Sequence, residues 1–179
     1  MIKGILWDND GVLVDTERLF YAANRDLFLQ HGIRLSEADF FNWFLKENCG
    51  AWHLLSAQGI SEEQIALYRD ERNRLYGAAL AAEANLGIAR VAGLLQRCAA
   101  RLAMGIVTSS TREHFDIIHG RLDLLRHFQF VVTNADYAQS KPHPEPYLLG
   151  LKKLGLAAGE CLVVEDSPRG LQAAVAAGL

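Results

Sequence analysis

A short apolar run, Ile2 to Leu6, leads straight into Trp7-Asp8-Asn9-Asp10-Gly11, and this junction constrains the fold more than any other feature of the chain. The run has the length and composition of a buried strand. Two carboxylates two residues apart at a strand end point to the same side of the backbone. Their repulsion calls for a cation or a shared proton. Gly11 then lets the chain turn sharply. Strand, paired aspartates and glycine turn together can build a carboxylate nucleophile and a metal site in one place.

Three more runs read as strands: Met104–Thr108, Phe130–Thr133 and Cys161–Val164. With Ile2–Trp7 they alternate with helical patterns, which predicts an α/β fold with a parallel sheet covered on both faces. One interval breaks the alternation. From about Glu17 to about Ala84 only helical signals occur, beginning with an apolar stripe of Leu19, Phe20, Ala23, Leu27 and Phe28 that stops near Gly32. Ser36 with Asp39, and Ser61 with Gln64, have the spacing of helix-start caps. A helical block inserted after the first strand predicts a separate cap domain over residues 16–84. The core is then 1–15 and 85–179, with hinges near Asp15–Thr16 and Asn85–Gly87. The core resumes with a helix over Ile88–Leu102. A further helix ends at Gly155, and Ser167-Pro168 caps and opens the last one.

With 179 residues, half of them hydrophobic, the chain can bury a sizeable core. A net charge of -3 gives no reason to expect nucleic acid or an anionic membrane as partner. No apolar run is long enough to span a bilayer, and Asp8 and Asp10 interrupt the N-terminal stretch that a signal peptide would need. Cys49, Cys98 and Cys161 are odd in number and lack CxxC pairing. They read as reduced thiols of a cytoplasmic protein.

In an open α/β sheet, ligands bind beyond the carboxyl ends of the strands. The polar residues fall at those ends: Asp8 and Asp10, Thr108 with Ser109 and Ser110, and Glu165-Asp166-Ser167. Lys141 lies in the tract Ser140-Lys141-Pro142-His143-Pro144-Glu145-Pro146, a loop stiffened by its prolines. Carboxylates, a hydroxyl and one ammonium suit a hard divalent cation and a phosphoryl group. His31, His53, His114, His119 and His127 lack ligand spacing and read as surface or packing residues. His143, between prolines, reads as loop structure. Trp43, Trp52 and Phe20 read as core more readily than as pocket lining.

The chain resembles the haloacid dehalogenase-like hydrolase superfamily, in its phosphatase and phosphomutase branch with a helical cap. Asp8-Asn9-Asp10-Gly11 matches the first motif, DxDG, and Asp15-Thr16-Glu17 continues it. Val107-Thr108-Ser109 matches the second, Lys141 in Ser-Lys-Pro the third, and Glu165-Asp166-Ser167-Pro168-Arg169-Gly170 the fourth. The resemblance implies a Rossmann-like core and a Mg²⁺-dependent enzyme acting on a small phosphorylated metabolite. It implies Asp8 as nucleophile and Asp10 as general acid and base. Thr108 and Lys141 would stabilise the phosphoryl group. Mg²⁺ would be held by Asp8, Asp166 and the Asp10 backbone carbonyl, with Glu165 a direct or outer ligand. The backbone amides of Asn9 and Ser109 would complete a phosphate cradle, and Thr16 and Lys46 are expected substrate contacts. A monomer or homodimer is expected.

Asp10 favours phosphoryl transfer, since dehalogenases of the superfamily lack this second aspartate. Sugar-phosphate mutases of the family carry an arginine on the cap loop and a histidine shortly after the Asp-Thr pair. Here Phe20 stands near the histidine position, and Leu45–Trp52 has Lys46 but no arginine. Lysine lacks the arginine fork, so a phosphatase is favoured over the alternative, a β-phosphoglucomutase-like phosphomutase. A non-catalytic binding module that retains the fold is a third reading, and the intact Asp8, Asp10, Lys141 and Asp166 argue against it. Relatives run on past a sequence like Ala173–Leu179, so a last edge strand is expected to be missing.

Overall fold

A computed structural model describes every residue from Met1 to Leu179. By compactness the chain divides into two units, Met1–Asp15 with Asn85–Leu179, and Thr16–Ala84.

The first unit is built on four strands: β1 (Gly4–Trp7), β2 (Ala103–Val107), β3 (Phe130–Val132) and β4 (Cys161–Val164). All pairs are parallel and the order is β3-β2-β1-β4. β1 lies inside the sheet and is buried along its whole length, as its unbroken apolar sequence requires. The chain builds outward from β1 through β2 to β3, then crosses back to lay β4 on the other side. The crevice beyond the carboxyl ends at that reversal is where such sheets bind ligands. The register puts Trp7 opposite both Ile106 and Val164. Asp8, Thr108 and Glu165 therefore leave the sheet at the same end.

Four α-helices belong to this unit: α5 (Val91–Ala99), α6 (Arg112–His119), α7 (Glu145–Leu154) and α8 (Pro168–Ala176). Leu6, Val107, Val132, Tyr147, Leu151, Cys161, Ala173 and Ala174 form one core cluster. α7 comes close to the sheet at Gly150, where a Cβ would lie 2.9–3.0 Å from Leu6 and Val107 side-chain atoms. The helix ends at Gly155 in the left-handed region, φ 67°. Ser167 caps α8 through the Gly170 N–H, with Pro168 at its first position. α5 starts later than its sequence suggests. Val14 bridges to Gly87, and the Ile88 N–H donates to the Leu13 carbonyl, so residues before Val91 are engaged with the turn after β1. Arg90 then enters the helix at φ 70°.

The second unit is entirely helical: α1 (Glu17–Gln30), α2 (Glu37–Phe40), a π-helical turn (Phe41–Lys46), α3 (Trp52–Ala57) and α4 (Glu62–Ala82). Both sequence-predicted caps form. Ser36 and Asp39 make a reciprocal capping box, and Ser61 accepts the Gln64 N–H. Leu27, Phe28, Phe40, Phe44, Trp52, Leu55 and Ile65 make the core of this unit. Phe20 packs edge-on to Phe40, Phe44 and Tyr76, and Trp43 and Trp52 join the same cluster. All three aromatics are thus packing residues of this unit. No helix of either unit is long and apolar enough to cross a membrane, and all three cysteines are free thiols.

Candidate active site

The turn after β1 is wound around one carbonyl. The Asn9 oxygen accepts the N–H groups of Val12, Leu13 and Val14, and the Gly11 N–H donates back to Val14. Gly11 has φ +76°, and a Cβ there would overlap the Asp166 carboxylate. Glycine at this position therefore serves two ends: it permits the turn, and it opens space for a carboxylate arriving from beyond β4.

Lys141 joins three strand ends. Its side chain is 2% exposed. Nζ donates to Asp8 Oδ1 at 3.0 Å, to the Val107 carbonyl at 3.0 Å and to Glu165 Oε1 at 2.5 Å. The loop that carries it is held in two ways. The Ala138 and Gln139 N–H groups donate to the Glu145 carboxylate, and the Tyr137 hydroxyl donates to the Thr108 carbonyl. His143 Nδ1 accepts the Glu145 N–H, consistent with its reading as loop structure.

Both oxygens of Glu165 are occupied. Oε1 takes Lys141 and the Tyr147 hydroxyl, and Oε2 takes the backbone and side chain of Ser167. A Cβ on Gly170 would overlap this carboxylate. Glu165 thus orients the lysine, with its acidity increased because Lys141 and these hydrogen bonds outweigh burial. Burial pulls Lys141 down, but Asp8 and Glu165 more than compensate and hold it protonated. Burial pushes the Asp8 carboxyl up to about 7, against the pull of Lys141 and with help from Glu165 and Asp10. Burial, Glu165 and Asp10 push Asp166 up as well. The site thus carries more negative charge than one lysine satisfies.

Asp8, Glu165 and Asp166 each offer a carboxylate oxygen within 4.8 Å of the others. Hard oxygen donors, an excess of negative charge and a glycine that leaves room for Asp166 fit a divalent ion such as Mg²⁺. The Asp10 side chain is directed elsewhere. Its Oδ2 accepts from Thr108 Oγ1 at 3.3 Å, Ser110 Oγ at 2.7 Å and Asn9 Nδ2 at 3.3 Å. Ser110 is thus a site residue that motif reading did not single out beside Thr108.

The Asn9 side chain is fully buried and bonded inward, which leaves only its backbone for the cradle expected from sequence. Ser109 is half-buried between Thr108 and Ser110. Thr16 is buried at the start of α1, and Lys46 is exposed at the end of the π-helical turn, both in the helical unit. The histidines divide. His31 and His53 sit against Tyr68 and Trp43, whereas His119 is buried and its Nε2 lies 2.7 Å from Asn9 Oδ1. Burial pushes His119 down to about 4. The packing role assigned to it from sequence understates its position.

The sequence profile of the haloacid dehalogenase-like hydrolases matches residues 5–179. The chain belongs to that family. Among haloacid dehalogenase-like relatives, the phosphoglycolate phosphatase of Shigella dysenteriae is 31% identical over 201 residues, covering 99% of this chain and 79% of the relative. A β-phosphoglucomutase from Clostridium difficile has the same fold, with a TM-score of 0.86 at 22% identity, covering 100% of this chain and 82% of that one. The CbbY protein of Rhodobacter sphaeroides, solved in complex with phosphate, superposes with a TM-score of 0.82 at 23% identity, covering 100% and 84%. Phosphatases and phosphomutases of the haloacid dehalogenase-like type are thus what this chain is similar to.

Proposed function

We propose that this protein is a Mg²⁺-dependent phosphatase of small phosphomonoesters, such as sugar phosphates or phosphoglycolate-like acids. The observation that carries the reading is the convergence of Asp8, Lys141, Glu165 and Asp166 at one end of the sheet, with Asp10 on the same turn. Asp8 attacks phosphorus and the ester P–O bond breaks, leaving an aspartyl-phosphate. Asp10 gives its proton to the departing alkoxide, then takes one from the water that attacks the aspartyl-phosphate. Inorganic phosphate leaves and Asp8 is regenerated. Lys141 neutralises charge on Asp8 and on the transferring group, and Thr108 and the backbone amides of Asn9 and Ser109 donate to its oxygens. Asp8, Asp166 and the Asp10 carbonyl would hold Mg²⁺, which supplies charge neutralisation between an anionic nucleophile and an anionic substrate. Glu165 orients Lys141 and stands behind these ligands. The helical unit Thr16–Ala84 serves as a cap that selects the substrate, with Thr16 and Lys46 its expected contacts.

Phosphate release from a panel of phosphomonoesters tests this, with Mg²⁺, with chelator, and with Asp8→Asn. Release that needs Mg²⁺ and disappears in the variant supports the reading. Release that persists in Asp8→Asn, or absence of release from a folded wild-type protein, counts against it.

A further inference from the structure

Three donors meet on one oxygen of Asp10: Thr108 Oγ1, Ser110 Oγ and Asn9 Nδ2. The first two come from the loop after β2. The third comes from the residue between the two aspartates, and its orientation is set from behind. Asn9 Oδ1 faces His119 Nε2 at 2.7 Å while Nδ2 faces the Asp10 carboxylate. The reverse orientation of the amide would set its carbonyl oxygen against that carboxylate, so His119 is the donor and Asn9 the acceptor. The His119 ring is held in turn by Phe115, with centroids 4.3 Å apart. His119 is also the last residue of α6, the helix that follows Thr108–Ser110 and starts on the Thr111 cap.

We propose that Asn9 and His119 form a positioning pair for the Asp10 carboxyl: His119 fixes the Asn9 amide, and Asn9 with Ser110 fixes Oδ2 when the single Thr108 hydroxyl proton turns to the phosphoryl group. The proposal rests on the reading of Asp10 as general acid. With Oδ2 filled by donors, the proton of the acid form sits on Oδ1, and Oδ1 hands it to the leaving oxygen. Neither Asn9 nor His119 needs to touch substrate through its side chain for this.

The test exploits leaving groups. An alkyl phosphate needs a proton on its departing oxygen; an aryl phosphate such as p-nitrophenyl phosphate needs it far less. In wild type, His119→Phe and His119→Gln, kcat/KM is measured for both esters, with folding followed by circular dichroism. His119→Phe should lower kcat/KM for the alkyl ester by roughly tenfold more than for the aryl ester, a part of the general-acid contribution. His119→Gln, which keeps an N–H donor, should restore most of that ratio. Equal losses on both esters, or a Gln variant with the same ratio as the Phe variant, would overturn the proposal while leaving the phosphatase reading intact. Should His119→Phe fail to fold, Asn9→Ala carries the same comparison. A wild type that hydrolyses neither ester overturns the phosphatase reading and this proposal with it.

Discussion

Lys141 Nζ lies 3.0 Å from Asp8 Oδ1 across 133 residues of chain, and the same nitrogen reaches Glu165. The ammonium bridges two carboxylates that the fold brings together from opposite ends of the sequence. Removing it leaves both buried without their cation. Lys141→Met should cost about 3–5 kcal/mol of folding stability and lower turnover severely. Urea unfolding monitored by fluorescence checks the first. A variant as stable as wild type would show that the pair contributes nothing to the fold.

Gly11 couples the turn to Asp166, one of the residues proposed to hold Mg²⁺. Gly11→Ala places a Cβ where the Asp166 carboxylate lies and strains a residue at φ +76°. Displacing Asp166 should weaken Mg²⁺ affinity by about tenfold or more, read as the Mg²⁺ concentration giving half-maximal rate. An unchanged Mg²⁺ titration would place Asp166 outside the metal site.

Gly150 sets the distance between α7 and the sheet. Gly150→Ala pushes a methyl against Leu6 and Val107, both fully buried. Overpacking of this size should cost about 1–2 kcal/mol, seen as a lower midpoint in thermal unfolding. An increase in stability would mean that helix and sheet have slack at this contact.

His119 gives the fold a pH dependence. Its imidazole has a folded pKa of about 4 against an ordinary 6.5, because burial disfavours the charged form. Above 6.5 it is neutral in both states and costs nothing. As pH falls from 6.5 towards 4 the unfolded chain gains a proton that the folded one refuses. Up to about 3 kcal/mol of stability is lost across that window. Urea midpoints between pH 7 and pH 4, compared with those of His119→Gln, isolate this contribution. Parallel curves for the two proteins would assign the acid sensitivity to other groups.

The parts of this molecule that were legible in the sequence are those governed by local chemistry. Short apolar runs ending in Asp8, Thr108 and Glu165 mark the strands, and Ser36, Ser61 and Ser167 mark helix starts through side chains that bond within three residues. The start of α5 was not legible, because Gly87 and Ile88 are held by the turn after β1 rather than by their own neighbours. Nor was the place of His119, whose partner Asn9 is 110 residues away, since no spacing along the chain encodes a contact that only the sheet creates. Glu165 shows the same limit. Its motif marks it as a direct or outer metal ligand, and nothing in that motif tells that Lys141, Tyr147 and Ser167 also meet on its oxygens.

Covalent catalysis by Asp8 underlies every step proposed for this protein, and acid-quenched turnover detects it. Wild-type protein is mixed with Mg²⁺ and a hydrolysed phosphomonoester, quenched within a turnover, and mapped by mass spectrometry. One phosphoryl group on the peptide containing Asp8, absent from Asp8→Asn, is the predicted result. Turnover with the phosphoryl group on another residue, or sustained hydrolysis by Asp8→Asn, would contradict it.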